Sequence, residues 1–406
     1  MTEVREKPNE WRRATPKLTP ATRLLLLLAR VELDQDQSIR VAELCAQVQE
    51  WDAFAAKAAE YFIAPLCLHH LGSLATEDVP KQARSALARQ TLPLTLRTLR
   101  HAALQREFIE HHVRPLNIPF AVIKGRALAA RYYPDISLRF ARDLDVLVPA
   151  RRIPELVIAA QKDGYRVYPE RRLLSVDEAH ILSRQSRVVT LVGSAGIPIE
   201  VHAQLDKAGF LLDHCAMLNR AETVDIDGVP TGILTTTDHF VYICLHHTKH
   251  FWSRLNWLAD LDALIKAPDF DRDAVMVLAR ERGIEKTVAA CLAFHQAYGA
   301  ENPWEQAIGN LEALDLLRAC LLILEEGSQK EFEMRPDRLS VDFNFEWQFP
   351  EGFRRRRRLR ACTAALSPSI ADYQAMPLPR FWHWLYFATR PLRLLFRIRS
   401  KTVGRE

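Results

Sequence analysis

Residues 120–148 constrain this chain more than any other stretch. An apolar run, Phe120-Ala121-Val122-Ile123, enters Lys124-Gly125, and a helical pattern follows and stops at Pro134. Arg139-Phe140-Ala141-Arg142 then leads into a second apolar run, Asp143 to Val148, which carries Asp143 and Asp145. In an extended strand residues i and i+2 share a face, so both aspartates would project from one side while Leu144 and Val146 enter the core. Two carboxylates held side by side need something to neutralise them. A divalent metal is the usual reason, and all-oxygen ligation favours magnesium or manganese.

Further along, Arg187–Val192, the turn Gly193–Gly196 and the run Ile197–Leu205 read as a hairpin. Its second strand sets Glu200, His202 and Gln204 on one face against Ile199, Val201 and Leu205 on the other. Glu200 is therefore the candidate third ligand.

An apolar strand, a Lys-Gly turn, a helix, Arg139-x-x-Arg142-Asp143-x-Asp145 and then Glu200-x-His202 together resemble the nucleotidyltransferase superfamily, the DNA polymerase beta-like fold. Within it the chain is most similar to the bacterial group of nucleotidyltransferase family proteins. The likeness is dense over residues 120–205, thins to a helical pattern by about residue 265, and is absent from the C-terminal third. It implies an α+β fold with a small mixed-sheet core flanked by N-terminal and C-terminal helical regions. The activity it implies is transfer of an NMP from an NTP such as ATP to an acceptor, with release of pyrophosphate. Two magnesium or manganese ions about 4 Å apart would bridge Asp143 and Asp145. Glu200 would bind the first ion and assist deprotonation of the acceptor.

Lys124, Gly125, Arg139 and Arg142 are the candidate nucleotide-binding residues. Gly125 lets backbone N–H groups approach phosphate oxygens, and arginine forks match those oxygens. His202 would orient the Glu200 carboxylate through a hydrogen bond. Each reading has a plainer rival: a solvated strand edge for Asp143 and Asp145, a ligand-free turn for Gly125, and simple neutralisation of the acids for the cations. The wider superfamily prefers Gly-Ser or Gly-Gly where this chain has Gly125-Arg126.

The remaining chain reads as helices around that core. Residues 1–117 form a helical lobe behind a loose leader (1–17), with helices at 21–33, 39–54, 55–74 and 81–114; residues 118–234 hold the sheet. Residues 235–350 form a second helical lobe. Thr235 there caps a helix bearing His246, His247 and His250, and a second helix carries Trp257, Asp260 and Asp262. These pack the lobe on the sheet, with His250 or Asp260 as outside candidates for the nucleotide. Phe343, Phe345, Trp347 and Phe349 alternate as in a strand.

Residues 351–406 hold thirteen Lys/Arg against three Asp/Glu, a local +10 that leaves −5 for the rest of a chain of net charge +5. Basic and aromatic residues interleave over 354–401, which suits an anionic membrane surface or an ordinary docked helix, with nucleic acid a weaker rival. Seven scattered cysteines without a Cys-x-x-Cys pair fit a reducing compartment. Leu24–Leu28 is too short to span a bilayer. The expected location is cytoplasmic, with membrane association an alternative. The partners are an NTP and an acceptor left open among small molecules, glycan precursors, peptides and proteins. The rival function is a non-catalytic protein that keeps the fold and binds a nucleotide or an anionic surface.

Overall fold

The computed structural model describes residues 15–348 except 17, 169–172, 207–208, 210 and 335–344, together with a few positions between 355 and 390. Nearly all of the leader and most of the basic tail therefore lie outside the described residues.

Five helices precede the sheet: α1 (Pro20–Leu28), α2 (Gln35–Cys45), α3 (Trp51–Glu60), α4 (Ala64–Ser73) and α5 (Lys81–Phe108). Thr19 caps α1 by accepting the Thr22 N–H, and Pro20 sits in the first turn, where its missing N–H has no partner to lose. Asp34 and Gln37 form a reciprocal capping box on α2. The five leucines 24–28 are each no more than 2% exposed. Full burial of a leucine is worth roughly 1.5–3 kcal/mol, so this run is a core helix. The long helices expected over 39–54 and 55–74 are interrupted, and between α3 and α4 the chain turns through Phe62 in the left-handed region (φ 65°). Helix α5 continues through Pro93 into a wide turn at Ile109–Val113.

Seven strands form one mixed sheet: β1 (Ala121–Val122), β2 (Leu144–Leu147), β3 (Arg166–Val167), β4 (Val188–Val192), β5 (Pro198–His202), β6 (Glu222–Ile226) and β7 (Val229–Ile233). Their order is β3-β4-β5-β2-β1-β7-β6, with β2 parallel to β5, β1 parallel to β7 and the other neighbours antiparallel. Between them lie α6 (Arg126–Tyr132), α7 (Ile153–Lys162), α8 (Val176–Gln185) and α9 (His214–Asn219). The β6–β7 hairpin turns at Asp227-Gly228, both at positive φ (55° and 82°), which is what a tight two-residue hairpin requires.

The two sheet faces bury different partners. Leu144, Val146, Ile199 and Val201 pack with Ile153, Leu156 and Val157 of α7 and with Phe108 of α5. Ala121, Ile123 and Leu147 face the helical lobe. Strand alternation therefore turns Asp145, Glu200 and His202 toward that lobe.

The lobe combines α1–α4 with α10 (Thr236–Thr248), α11 (Leu255–Ile265), α12 (Arg272–Glu281), α13 (Glu285–Tyr298), α14 (Pro303–Ala307), α15 (Leu311–Glu326) and α16 (Lys330–Met334). Its two chain segments share one buried cluster. Tyr61 Oη donates to the Ile323 carbonyl at 2.8 Å, and Arg30 pairs with Asp262 at 2.9 Å. Residues 303–326 form two helices, with Asn310 capping the second through the Ala313 N–H. The strand expected around 343–349 is a short helical turn, Glu346–Gln348, with Phe345 buried against Phe251; Phe343 and Phe349 lie outside the described residues. No described helix is long and apolar enough to cross a membrane.

Candidate active site

The parallel pairing of β2 and β5 sets Asp145 directly opposite Glu200. Asp145 is 2% exposed and its Oδ1 accepts from Lys124 Nζ and from His202 Nε2, each at 2.9 Å. Both contacts fall on Oδ1, and no hydrogen bond among the described residues reaches Oδ2. His202 Nε2 also lies 3.5 Å from Glu200 Oε2, so one imidazole bridges the two acids. Asp143 sits one residue before β2, and His101 Nε2 meets its carbonyl oxygen at 2.7 Å. Asp143, Asp145 and Glu200 line one cleft of about 300 Å³ with Lys124, Gly125, Arg139 and Arg142.

The electrostatics show what holds these charges together. Burial alone would raise the Asp145 carboxyl, but Lys124 and His202 overcome it and hold Asp145 below the ordinary carboxylate range. Burial would lower the pKa of Lys124 and of His202, and the acids reverse it, so both are raised. Asp143 behaves oppositely. Burial first, then the charges of Asp145 and Glu200, push it up to about 6 against the pull of Lys124 and Arg142. Burial and two neighbouring acids thus oppose the ionisation of Asp143.

A divalent cation would relieve that crowding of carboxylates. One ligand atom each from Asp145, Glu200 and His202 lie within 4.8 Å of one another, and Asp143 adds a carboxylate to the same cleft. His202, expected only to orient Glu200, stands close enough to be a ligand itself.

Gly125 has φ +62°, and a Cβ there would lie 3.1 Å from the Ala141 Cβ. The turn therefore needs glycine both for its backbone and for its approach to the loop leading to Asp143. Arg142 is exposed, with its guanidinium 3.7 Å from Asp143. Arg139 borders the cleft but is buried, and its fork is committed: Nε and Nη2 donate to Asp260 Oδ1 and Oδ2, both at 2.7 Å. Tyr133 Oη donates to the same carboxylate at 2.8 Å.

The helical lobe supplies the opposite wall, which the sequence reading largely missed. His246, His250, Arg254, Asn256 and Trp257 line the cleft with Phe62 from the α3–α4 turn. His247 stacks on Trp257 at 4.4 Å with 6° between the planes, and His250 Nδ1 contacts Glu331 Oε1 at 3.0 Å. The signal was the i, i+4 spacing of His246 and His250, which predicts one helix face; α10 instead ends at Thr248, and His250 reaches the cleft from the turn that follows.

A mixed sheet that turns two aspartates and a glutamate toward a Lys-Gly turn, under a helical lobe, is the arrangement of a nucleotidyltransferase-superfamily core. The chain belongs to the family described as "Uncharacterised nucleotidyltransferase", whose model matches residues 47–299. That span takes in α3–α5 and α10–α13, so Phe62 and the wall residues from His246 to Trp257 lie inside the match with the sheet, while Glu331 and Phe332 of α16, which also line the cleft, lie outside it. No curated protein matches the chain.

Proposed function

We propose that this protein is a metal-dependent nucleotidyltransferase that transfers an NMP from an NTP to an acceptor and releases pyrophosphate. The observation that carries the reading is the convergence of Asp143, Asp145 and Glu200 on one cleft beside Lys124 and His202. In the reaction an acceptor oxygen or nitrogen bonds to the α-phosphorus, the bond from that phosphorus to the bridging oxygen breaks, and pyrophosphate leaves with the electron pair. The acceptor's proton passes to a base. A magnesium or manganese ion at Asp143, Asp145, Glu200 and His202 would neutralise phosphate charge and acidify the acceptor.

The chain's own residues position and neutralise. Lys124 holds Asp145 ionised, and His202 ties Asp145 to Glu200 so that the carboxylates keep a fixed spacing. Glu200 is the half-buried carboxylate with room to take the acceptor proton. Gly125 lets the Lys124 turn approach a phosphate closely, and Arg142 adds an exposed guanidinium. Such positioning and charge dispersal is most of what phosphoryl-type transfer asks of a protein.

Calorimetric titration with each of the four NTPs, with and without magnesium, tests the reading. Magnesium-dependent binding of an NTP that is lost in Asp143→Asn/Asp145→Asn supports it. Absence of NTP binding under every condition moves the protein to the non-catalytic alternative.

Peripheral attachment to an anionic membrane is a separate proposal. Near the C-terminus Phe381, Trp384 and Phe387 are 74%, 60% and 59% exposed, while Tyr386 is buried with its hydroxyl donating to the Met376 carbonyl at 2.7 Å. Most of residues 354–401 lie outside the described residues. Sedimentation with phosphatidylserine vesicles, compared with phosphatidylcholine vesicles, tests it.

A further inference from the structure

We propose that Arg254 receives the polyphosphate chain of the nucleotide together with Arg142, the one of the three expected cations, Lys124, Arg139 and Arg142, that is left exposed. This rests on the nucleotidyltransferase reading above. The other two are already committed. Lys124 Nζ is 2.9 Å from Asp145, and the Arg139 fork is closed on Asp260 inside the core. Turning Arg139 to a phosphate would leave the buried Asp260 carboxylate without a cation, and turning Lys124 would give up one of the two donors on Asp145.

Arg254 stands differently. It lines the same cleft from the helical lobe, is half-buried, and has no carboxylate partner among the described residues. Its guanidinium lies 5.7 Å from the centre of the Phe62 ring, and its one hydrogen bond is a long 3.5 Å contact to the Ser253 carbonyl. Those contacts steady the arginine while engaging only one of its donors, and that one weakly. A planar guanidinium with free donors matches two phosphate oxygens at once.

The chain before Arg254 is built to hold it there. Phe251 and Trp252 both adopt left-handed backbone angles (φ 58° and 53°), unfavourable for side chains with a Cβ. Both rings are fully buried, and Trp252 Nε1 donates to Thr248 Oγ1 at 3.2 Å, so packing keeps the strained turn in place. Strain of this kind gathers where a site must be held in one geometry. Here the turn ends helix α10 and delivers Arg254 to the cleft wall as the cap residue of α11. Arg142, whose contact with Asp143 is only 3.7 Å, is the second cation able to reach a phosphate from the facing loop.

The test is binding of the four NTPs and of pyrophosphate, each with magnesium, to wild type, Arg254→Gln and Arg254→Lys. The NMP of whichever NTP binds is measured by competition. A lost guanidinium–phosphate contact weakens binding about tenfold or more. Arg254→Gln should therefore lose at least that much affinity for NTP and for pyrophosphate while NMP binding holds, and Arg254→Lys should recover part. Unchanged NTP affinity in Arg254→Gln, or an equal loss for NTP and NMP, would overturn the assignment. Failure of wild type to bind any NTP would instead overturn the nucleotidyltransferase reading and this assignment with it. Should Arg254→Gln unfold, Arg254→Lys, which keeps the stem beside Phe62 and removes the fork, carries the same comparison.

Discussion

Replacing Asp260 by alanine should cost this protein about 3–5 kcal/mol of stability, because it strands a buried guanidinium. Asp260 is fully buried and accepts three hydrogen bonds: two from Arg139 at 2.7 Å and one from Tyr133 Oη at 2.8 Å. Opposite charges about 4 Å apart attract by about 4 kcal/mol at an effective dielectric of 20, which agrees in size with the cost of removing one partner. Removing both charges, as in Arg139→Met/Asp260→Leu, leaves no buried charge unpaired, only the Tyr133 hydroxyl without its acceptor, and should return the protein to within about 2 kcal/mol of wild type. Urea unfolding of wild type, Arg139→Met, Asp260→Leu and the double variant gives the coupling directly. Arg139 also opens the loop that delivers Asp143, so Asp260→Ala should weaken magnesium-dependent NTP binding as well. A cost below about 1 kcal/mol for Asp260→Ala, or additive effects in the cycle, would refute the clamp and return Arg139 to the phosphates.

Gly125→Ala should destabilise the protein by about 1–2 kcal/mol through its positive φ and its 3.1 Å approach to the Ala141 Cβ, read as a lower urea midpoint. Acid should loosen the fold before the carboxylates titrate. Burial pushes His70 down to about 4 and His239 down to about 3, so the unfolded chain takes up protons near pH 6.5 that the folded protein refuses. Stability is then full above about pH 6.5 and falls by up to about 1.4 kcal/mol per pH unit for each histidine as pH drops toward 4. A urea midpoint that stays flat between pH 7 and pH 5 would contradict this. With burial and its acidic neighbours holding Asp143 at about 6, protons compete with the metal there, so manganese affinity should decline below pH 6 by up to about tenfold per unit, measured by calorimetry. An affinity independent of pH between 7 and 5 would place the metal elsewhere.

The sheet core was legible because its signals are local. Period-two alternation put Asp145 and Glu200 on one face, and the β2–β5 register then set them opposite each other. Thr235 was readable as a cap because the cap lies beside its helix. The Asp227-Gly228 hairpin was equally local and was passed over, as was α8 with its Ser175–Glu178 capping box. What the sequence could not show was pairing across long separations. Arg139 and Asp260 are 121 residues apart, and nothing in either neighbourhood says that one will close on the other. The same holds for the cleft wall of Phe62, His246, Arg254 and Trp257, assembled from the α3–α4 turn and from α10 and α11. Long charged and aromatic side chains in helices read as packing until the fold decides which face meets the sheet.

The central claim is that Asp143, Asp145 and Glu200 form a metal–nucleotide site. Anomalous diffraction from crystals grown with manganese and a non-hydrolysable NTP analogue tests it most directly. The account predicts manganese density between these carboxylates and His202, with the polyphosphate running from that metal toward Arg142 and Arg254. Manganese and nucleotide bound away from the cleft, with Lys124 and His202 still closed on an unligated Asp145, would contradict it.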